Sequence, residues 1–105
     1  MEGIGYYSEL KWHTDNGSLK ANIQKEADYD KSIVMQYIES FKKSAICARD
    51  TVDPISKRMI CHTTEFYNDG EYEWSESLIY FIDKYNVKLP KGFVEKAISY
   101  VNQNI

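Results

Sequence analysis

The stretch Thr64-Glu65-Phe66-Tyr67-Asn68-Asp69-Gly70-Glu71-Tyr72-Glu73-Trp74-Ser75-Glu76-Ser77-Leu78 decides how this chain folds. In Glu71-Tyr72-Glu73-Trp74 polar and aromatic residues alternate, which puts Tyr72 and Trp74 on one face of a strand and Glu71 and Glu73 on the other. The preceding run, Arg58 to Tyr67, is rich in β-branched and aromatic residues, and Asn68-Asp69-Gly70 between the two supplies turn chemistry. The pattern predicts a β-hairpin. Ser75 then stands where an N-cap belongs, Glu76 suits a first helical turn, and Leu78, Ile79, Ile82 and Tyr85 recur at helical spacing, so a helix over 76–86 is expected directly after the strand.

Working outward, Asn86-Val87-Lys88-Leu89-Pro90 breaks that helix, and Pro90 can open another because a first-turn N–H has no intrahelical partner to lose. Phe93, Val94, Ala97, Ile98 and Val101 give this last helix its stripe. Upstream, Ile33, Val34, Tyr37, Ile38 and Phe41 predict a helix over 31–43, with Asp30 as N-cap and Lys42 and Lys43 complementing its C-terminal dipole. Ala45-Ile46-Cys47-Ala48 reads as a brief strand running toward the Asp53-Pro54 stop. Nearer the N-terminus, alternation of Ile4, Tyr6, Leu10 and Trp12, then of Leu19, Ala21 and Ile23, around Asp15-Asn16-Gly17 predicts a hairpin over 4–13 and 18–24; if it is irregular, a three-stranded meander remains. The fold expected is α+β, a single domain over 1–105. In it a small antiparallel β-sheet from 4–24 and 45–74 packs against one mid-chain helix and a C-terminal helix pair.

Composition bounds the function. With 105 residues, 43% hydrophobic and 28% charged, the chain suits one small core, and a formal charge of −3 with only two prolines argues against disorder. No apolar run approaches the roughly 20 residues a membrane helix needs, and Met1 to Tyr7 lacks the basic and apolar regions of a secretion signal. A cytoplasmic protein without membrane contact is the expectation. Nine Tyr, four Phe and two Trp are ample for a small core and, as a group, hint at an interface.

The search for chemistry favours binding over catalysis. His13 and His62 are isolated histidines, each near a carboxylate in sequence (Asp15, Glu65), and neither falls in a two-ligand spacing, so no metal is expected. Cys47 and Cys61 read as buried, inert free thiols, and Cys61 and His62, adjacent in a strand, would point to opposite faces. No serine lies in GxSxG, and neither GxGxxG nor a P-loop is present, so no cofactor and no enzymatic role are expected. Concentrated Arg/Lys with interleaved aromatics is also lacking, which speaks against nucleic acid as a partner. The clearest charge feature runs from Glu65 to Glu76: Glu65, Asp69, Glu71, Glu73 and Glu76 occur without a Lys or Arg. These carboxylates, with Tyr67 or Tyr72 as an aromatic anchor, are the expected partner-binding residues, and their complement is a basic surface. The alternative is ordinary solvated surface.

From Thr64 through Leu78, and on through Tyr80-Phe81, Lys84-Tyr85, Val87, Leu89-Pro90 and Phe93-Val94, the sequence resembles small bacterial immunity proteins of polymorphic-toxin and contact-dependent growth-inhibition systems. Their pattern is TDGxWxWPxxLxYYxxxYxVxLPxxF, and an N-terminal element is matched here by Tyr6-Tyr7-Ser8 and Trp12-His13-Thr14-Asp15-Asn16-Gly17. Together these cover roughly half the chain. Ser75 stands where the pattern has Pro, and Tyr72 where it often has Trp. The resemblance implies an immunity protein that neutralises a cognate toxin domain in a stoichiometric complex. Many such toxins are nucleases, which agrees with a basic complement. A small cytoplasmic hydrolase or a regulatory adaptor is the alternative, and oligomeric state is left open.

Overall fold

The computed structural model describes residues 1–11 and 16–103. The hairpin at the centre of the sequence forms, but from a shorter first strand than the run from Arg58 suggests, because that run breaks at His62-Thr63: β5 (Thr64–Asn68) and β6 (Tyr72–Ser75) pair antiparallel, with Tyr67 opposite Trp74 and Asn68 opposite Glu73. Gly70 lies at φ +94 in the turn, a region other residues rarely enter. On the outer side of β5, β2 (Ala45–Cys47) adds antiparallel. On the outer side of β6, β1 (Glu2–Ile4) adds parallel, with Ile4 opposite Trp74. The result is an α+β fold whose four-stranded sheet has the order β1-β6-β5-β2, and a separate pair, β3 (Thr51–Val52) with β4 (Met59–Cys61). The sheet is mixed rather than purely antiparallel because the strand nearest the N-terminus does not turn back on a neighbour but crosses to β6.

That crossing also replaces the hairpin expected over 4–13 and 18–24. Gly5, at φ +79, ends β1, and a Cβ there would sit 3.0 Å from Leu78 Cδ1, so both backbone and space call for glycine. Ser8–Leu10 is then a 3-10 turn and Leu19–Asn22 a short helix, α1. Side chains closed this local choice: Ser18 Oγ accepts from the Ala21 N–H at 3.0 Å, and the Glu9 carboxylate takes the Leu19 and Lys20 N–H groups at 2.6 and 3.2 Å. Trp12, His13, Thr14 and Asp15, part of the same expected hairpin, lie outside the described residues.

Three longer helices cover the sheet. In α2 (Lys31–Glu39), Asp30 is the N-cap and accepts from the Ser32 and Ile33 N–H groups. The helix stops four residues before the expected end, because Ser40 caps it and its Oγ bonds the Tyr37 carbonyl at 2.6 Å. Helix α3 (Ser77–Tyr85) ends on Asn86 in the left-handed conformation. Ser75 does not cap it: Ser75 is still in β6, opposite Phe66, with its buried Oγ 2.6 Å from Ser77 Oγ, and Glu76 takes the N-cap position. Helix α4 (Lys91–Gln103) lies against α2.

The core gathers where these helices meet β6. Trp74 and Phe93 are fully buried with rings 5.3 Å apart edge to face, and Tyr72, Tyr37 and Phe41 continue the cluster. Tyr72 and Trp74 share the buried face, as alternation requires. A second anchor fixes the β3–β4 connection: the Asp53 carboxylate, wholly buried, accepts from Tyr80 and Tyr85 hydroxyls at 2.6 Å each and from the Ile55 and Ser56 N–H groups. Burial opposes its charge, yet these donors outweigh burial and hold it well below the usual carboxylate range.

Candidate partner-binding site

The carboxylates of the Glu65–Glu76 stretch do not form one ridge; the fold divides them between two places. At the turn, Asp69 is drawn inward, its side chain 1% exposed. Its Oδ1 accepts from the Glu71 and Tyr72 N–H groups at 2.9 and 2.7 Å, while Oδ2 takes the Tyr37 hydroxyl at 2.7 Å and pairs with Lys96 at 3.2 Å. Asp69 thus ties the turn to α2 and α4. Burial raises its pKa, but the Tyr72 N–H, the Tyr37 hydroxyl and the other donors bring it below the ordinary value. Tyr37 shifts upward in return, through burial and its bond to that carboxylate. Lys96 also reaches exposed Glu71 at 3.0 Å and lies 5.6 Å from the Tyr72 ring centroid. Lys96 thus offsets part of the negative charge at this end, and Tyr72 is buried beneath it. Glu73, half-buried in β6, lies opposite Gly3 and Asn68.

The other end is open. Glu65 and Glu76 adjoin because the pairing of β5 and β6 extends past the strands: the Glu76 N–H donates to the Glu65 carbonyl at 2.9 Å, and the Glu65 N–H donates to Glu76 Oε1 at 2.7 Å. Beside Glu76, between Tyr67 and helices α2 and α3, runs a groove of about 520 Å³ with Met35, Ile60, Tyr67 and Ile79 among its apolar walls. Glu39, from the last turn of α2, joins Glu76 and Asp83 at its sides. It continues into a smaller recess of about 190 Å³ where Tyr67, Ile79 and Glu76 meet Phe41 and Trp74. Lys43 pairs with Glu65 at 3.5 Å, both partly exposed; among the described residues no basic side chain pairs with Glu39, Glu76 or Asp83. Tyr67 is half-buried, and burial together with the nearby Glu65 and Glu76 charges raises its hydroxyl pKa.

Of the expected binding residues, the structure thus brings Tyr67 and Glu76 to one apolar groove, leaves Glu65 beside Glu76 but outside its lining, and sets Asp69, Glu71 and Tyr72 around Lys96. Sequence reading missed Glu39, Asp83, Met35 and Ile79 as neighbours of Tyr67. Their helical spacing was visible, but which helix faces meet the hairpin is a tertiary fact.

No family model, curated protein or solved structure matches the chain. The remaining reactive residues sit elsewhere. His62 Nδ1 lies 3.2 Å from Asp50 Oδ1 on a highly exposed surface, and His13 is outside the described residues. Both thiols are free, but neither is buried as expected: Cys47 is exposed because β2 is an edge strand, and Cys61, half-buried at the end of β4, has its pKa raised by burial. Among the described residues no three His, Cys, Asp or Glu side chains converge in a metal-holding group, and no helix is long and apolar enough to cross a membrane.

Proposed function

We propose that this chain is a cytoplasmic immunity protein that neutralises a cognate bacterial toxin domain by forming a stoichiometric, non-covalent complex. The observation that carries this reading is the open apolar groove beside Tyr67, bordered by Glu39, Glu76 and Asp83 without a basic side chain of the described residues paired to them. An apolar floor supplies desolvation on contact, and unpaired carboxylates at its margin favour and accelerate a basic partner. Such a surface inhibits by occupying its target and needs no turnover. The resemblance of the Thr64–Val94 region to immunity proteins supplies the class of partner, a toxin domain, for which a basic nuclease is a fitting example.

The test is co-expression with the toxin candidate encoded next to this gene. Growth should be rescued, and the two chains should co-purify at one-to-one stoichiometry. A toxin that kills equally well in its presence overturns the proposal.

A further inference from the structure

Trp74 is wholly buried, and its Nε1 is the buried side-chain donor without a hydrogen-bond partner among the described residues. A buried N–H left unpaired costs free energy, and its resonance is a sensitive reporter of any change beside the ring. Trp74 lines the small recess of about 190 Å³, together with Phe41, Tyr67 and Ile79, and two carboxylates, Glu39 and Glu76, border the same space. The recess therefore combines aromatic and aliphatic walls with negative charge coming from two different elements, the end of α2 and the start of α3, a complement to a cation on an apolar stem.

From this geometry we infer that the recess is an arginine pocket: a partner segment carrying one arginine between apolar residues seats that side chain here. The arginine stem lies along Ile79 and Phe41, the guanidinium meets Glu39 and Glu76, and Trp74 in the wall senses the occupant through its indole N–H. Arginine fits better than lysine because its planar, weakly hydrated head stacks on an aromatic ring such as Tyr67 while its fork of donors serves two carboxylates at once. The apolar flanks of the segment would cover the adjoining groove, where Met35 offers a deformable thioether wall. This inference rests on the proposed binding role and names the feature of the partner that the site reads.

The test uses the full chain, labelled with ¹⁵N and carrying Trp12→Phe, so that Trp74 gives the one indole N–H resonance. The probe is the capped tripeptide acetyl-Leu-Arg-Leu-amide, with its citrulline and lysine counterparts for comparison. The arginine peptide should move the Trp74 indole resonance saturably. The citrulline peptide should bind at least about tenfold more weakly, which is the loss of one charge-assisted contact. Glu39→Gln should weaken the arginine peptide severalfold, whereas Glu71→Gln, at the other end of the hairpin, should leave it unchanged. Glu39 is exposed on α2, so its replacement does not endanger the fold. An indole resonance that the arginine peptide does not move, or that the citrulline or lysine peptide moves equally, overturns the inference. A chain that neutralises its toxin yet ignores the peptide fails this inference alone; one that takes the peptide yet protects against no toxin fails the proposed function alone.

Discussion

Replacing Asp69 by alanine removes a carboxylate that two turn amides, the Tyr37 hydroxyl and Lys96 all use. Each hydrogen bond to a charged group contributes about 1.5–3 kcal/mol net, and removing the acceptor leaves the donors to be resolvated in a site that is nearly closed. The bonds share one ion and are not additive, and the exposed turn admits water, so the expected loss is about 3–5 kcal/mol rather than the full total. That is a large part of a small domain's stability, typically about 5–15 kcal/mol, and corresponds to a fall in Tm of roughly 12 °C or more. Glu71→Ala is the matched control. It removes the same formal charge two residues away and the same Lys96 partner, but from a side chain 62% exposed, so the change should stay within about 1 kcal/mol. Asp69→Asn keeps an acceptor for the turn amides and should recover part of the loss. Urea unfolding followed by tryptophan fluorescence measures all three. Equal, small effects of Asp69→Ala and Glu71→Ala would refute the assignment of Asp69 as the bolt between turn and helices.

Acid should destabilise the protein in good part through Asp53 and Asp69, with Glu9, also held below its ordinary value, adding to the loss. Both aspartates have folded pKa values below their unfolded value, about 3.9 for Asp, so the unfolded state binds more protons and stability is present above that pH and lost as pH falls beneath it; Asp53→Asn should flatten the acid limb of stability against pH. Thiol labelling of the native protein should proceed at Cys47 well before Cys61, read by mass spectrometry of Cys47→Ser and Cys61→Ser variants, since the first is exposed on an edge strand and burial disfavours the thiolate of the second. Equal rates in the folded protein would contradict that placement.

The parts of the fold legible in sequence were those whose signal is local. The β5–β6 hairpin announced itself through Asn68-Asp69-Gly70 and the Tyr72/Trp74 alternation, and α2, α3 and α4 through apolar stripes. The N-terminal region misled because alternation over a few residues is shared by any extended segment. The discriminating facts were a positive φ at Gly5 against Leu78 and the capture of the Leu19 and Lys20 amides by Glu9, neither of which leaves a periodic trace. The same limit applies to the site. Glu65, Tyr67 and Glu76 stood out as neighbours in sequence, whereas Glu39 and Asp83 reach the groove from two helices. Asp69 looked like one more surface charge until Tyr37 and Lys96 closed over it.

The parallel partnership of β1 with β6 has a bearing on the order of assembly. Asn68 finds Glu73 across a tight turn, but Glu2 must find Tyr72 across roughly 70 residues of chain, and closing the longer loop costs about 2 kcal/mol more in chain entropy. The hairpin and the helix that follows it therefore form early, while β1, whose partner lies farthest along the chain, docks last. Until it does, the outer edge of β6 stands open with its hydrogen-bonding groups unspent, and at high protein concentration the same strand from a neighbouring molecule competes for that place. Slow, dilute refolding favours the monomer; rapid, concentrated refolding favours exchange of β1 between chains.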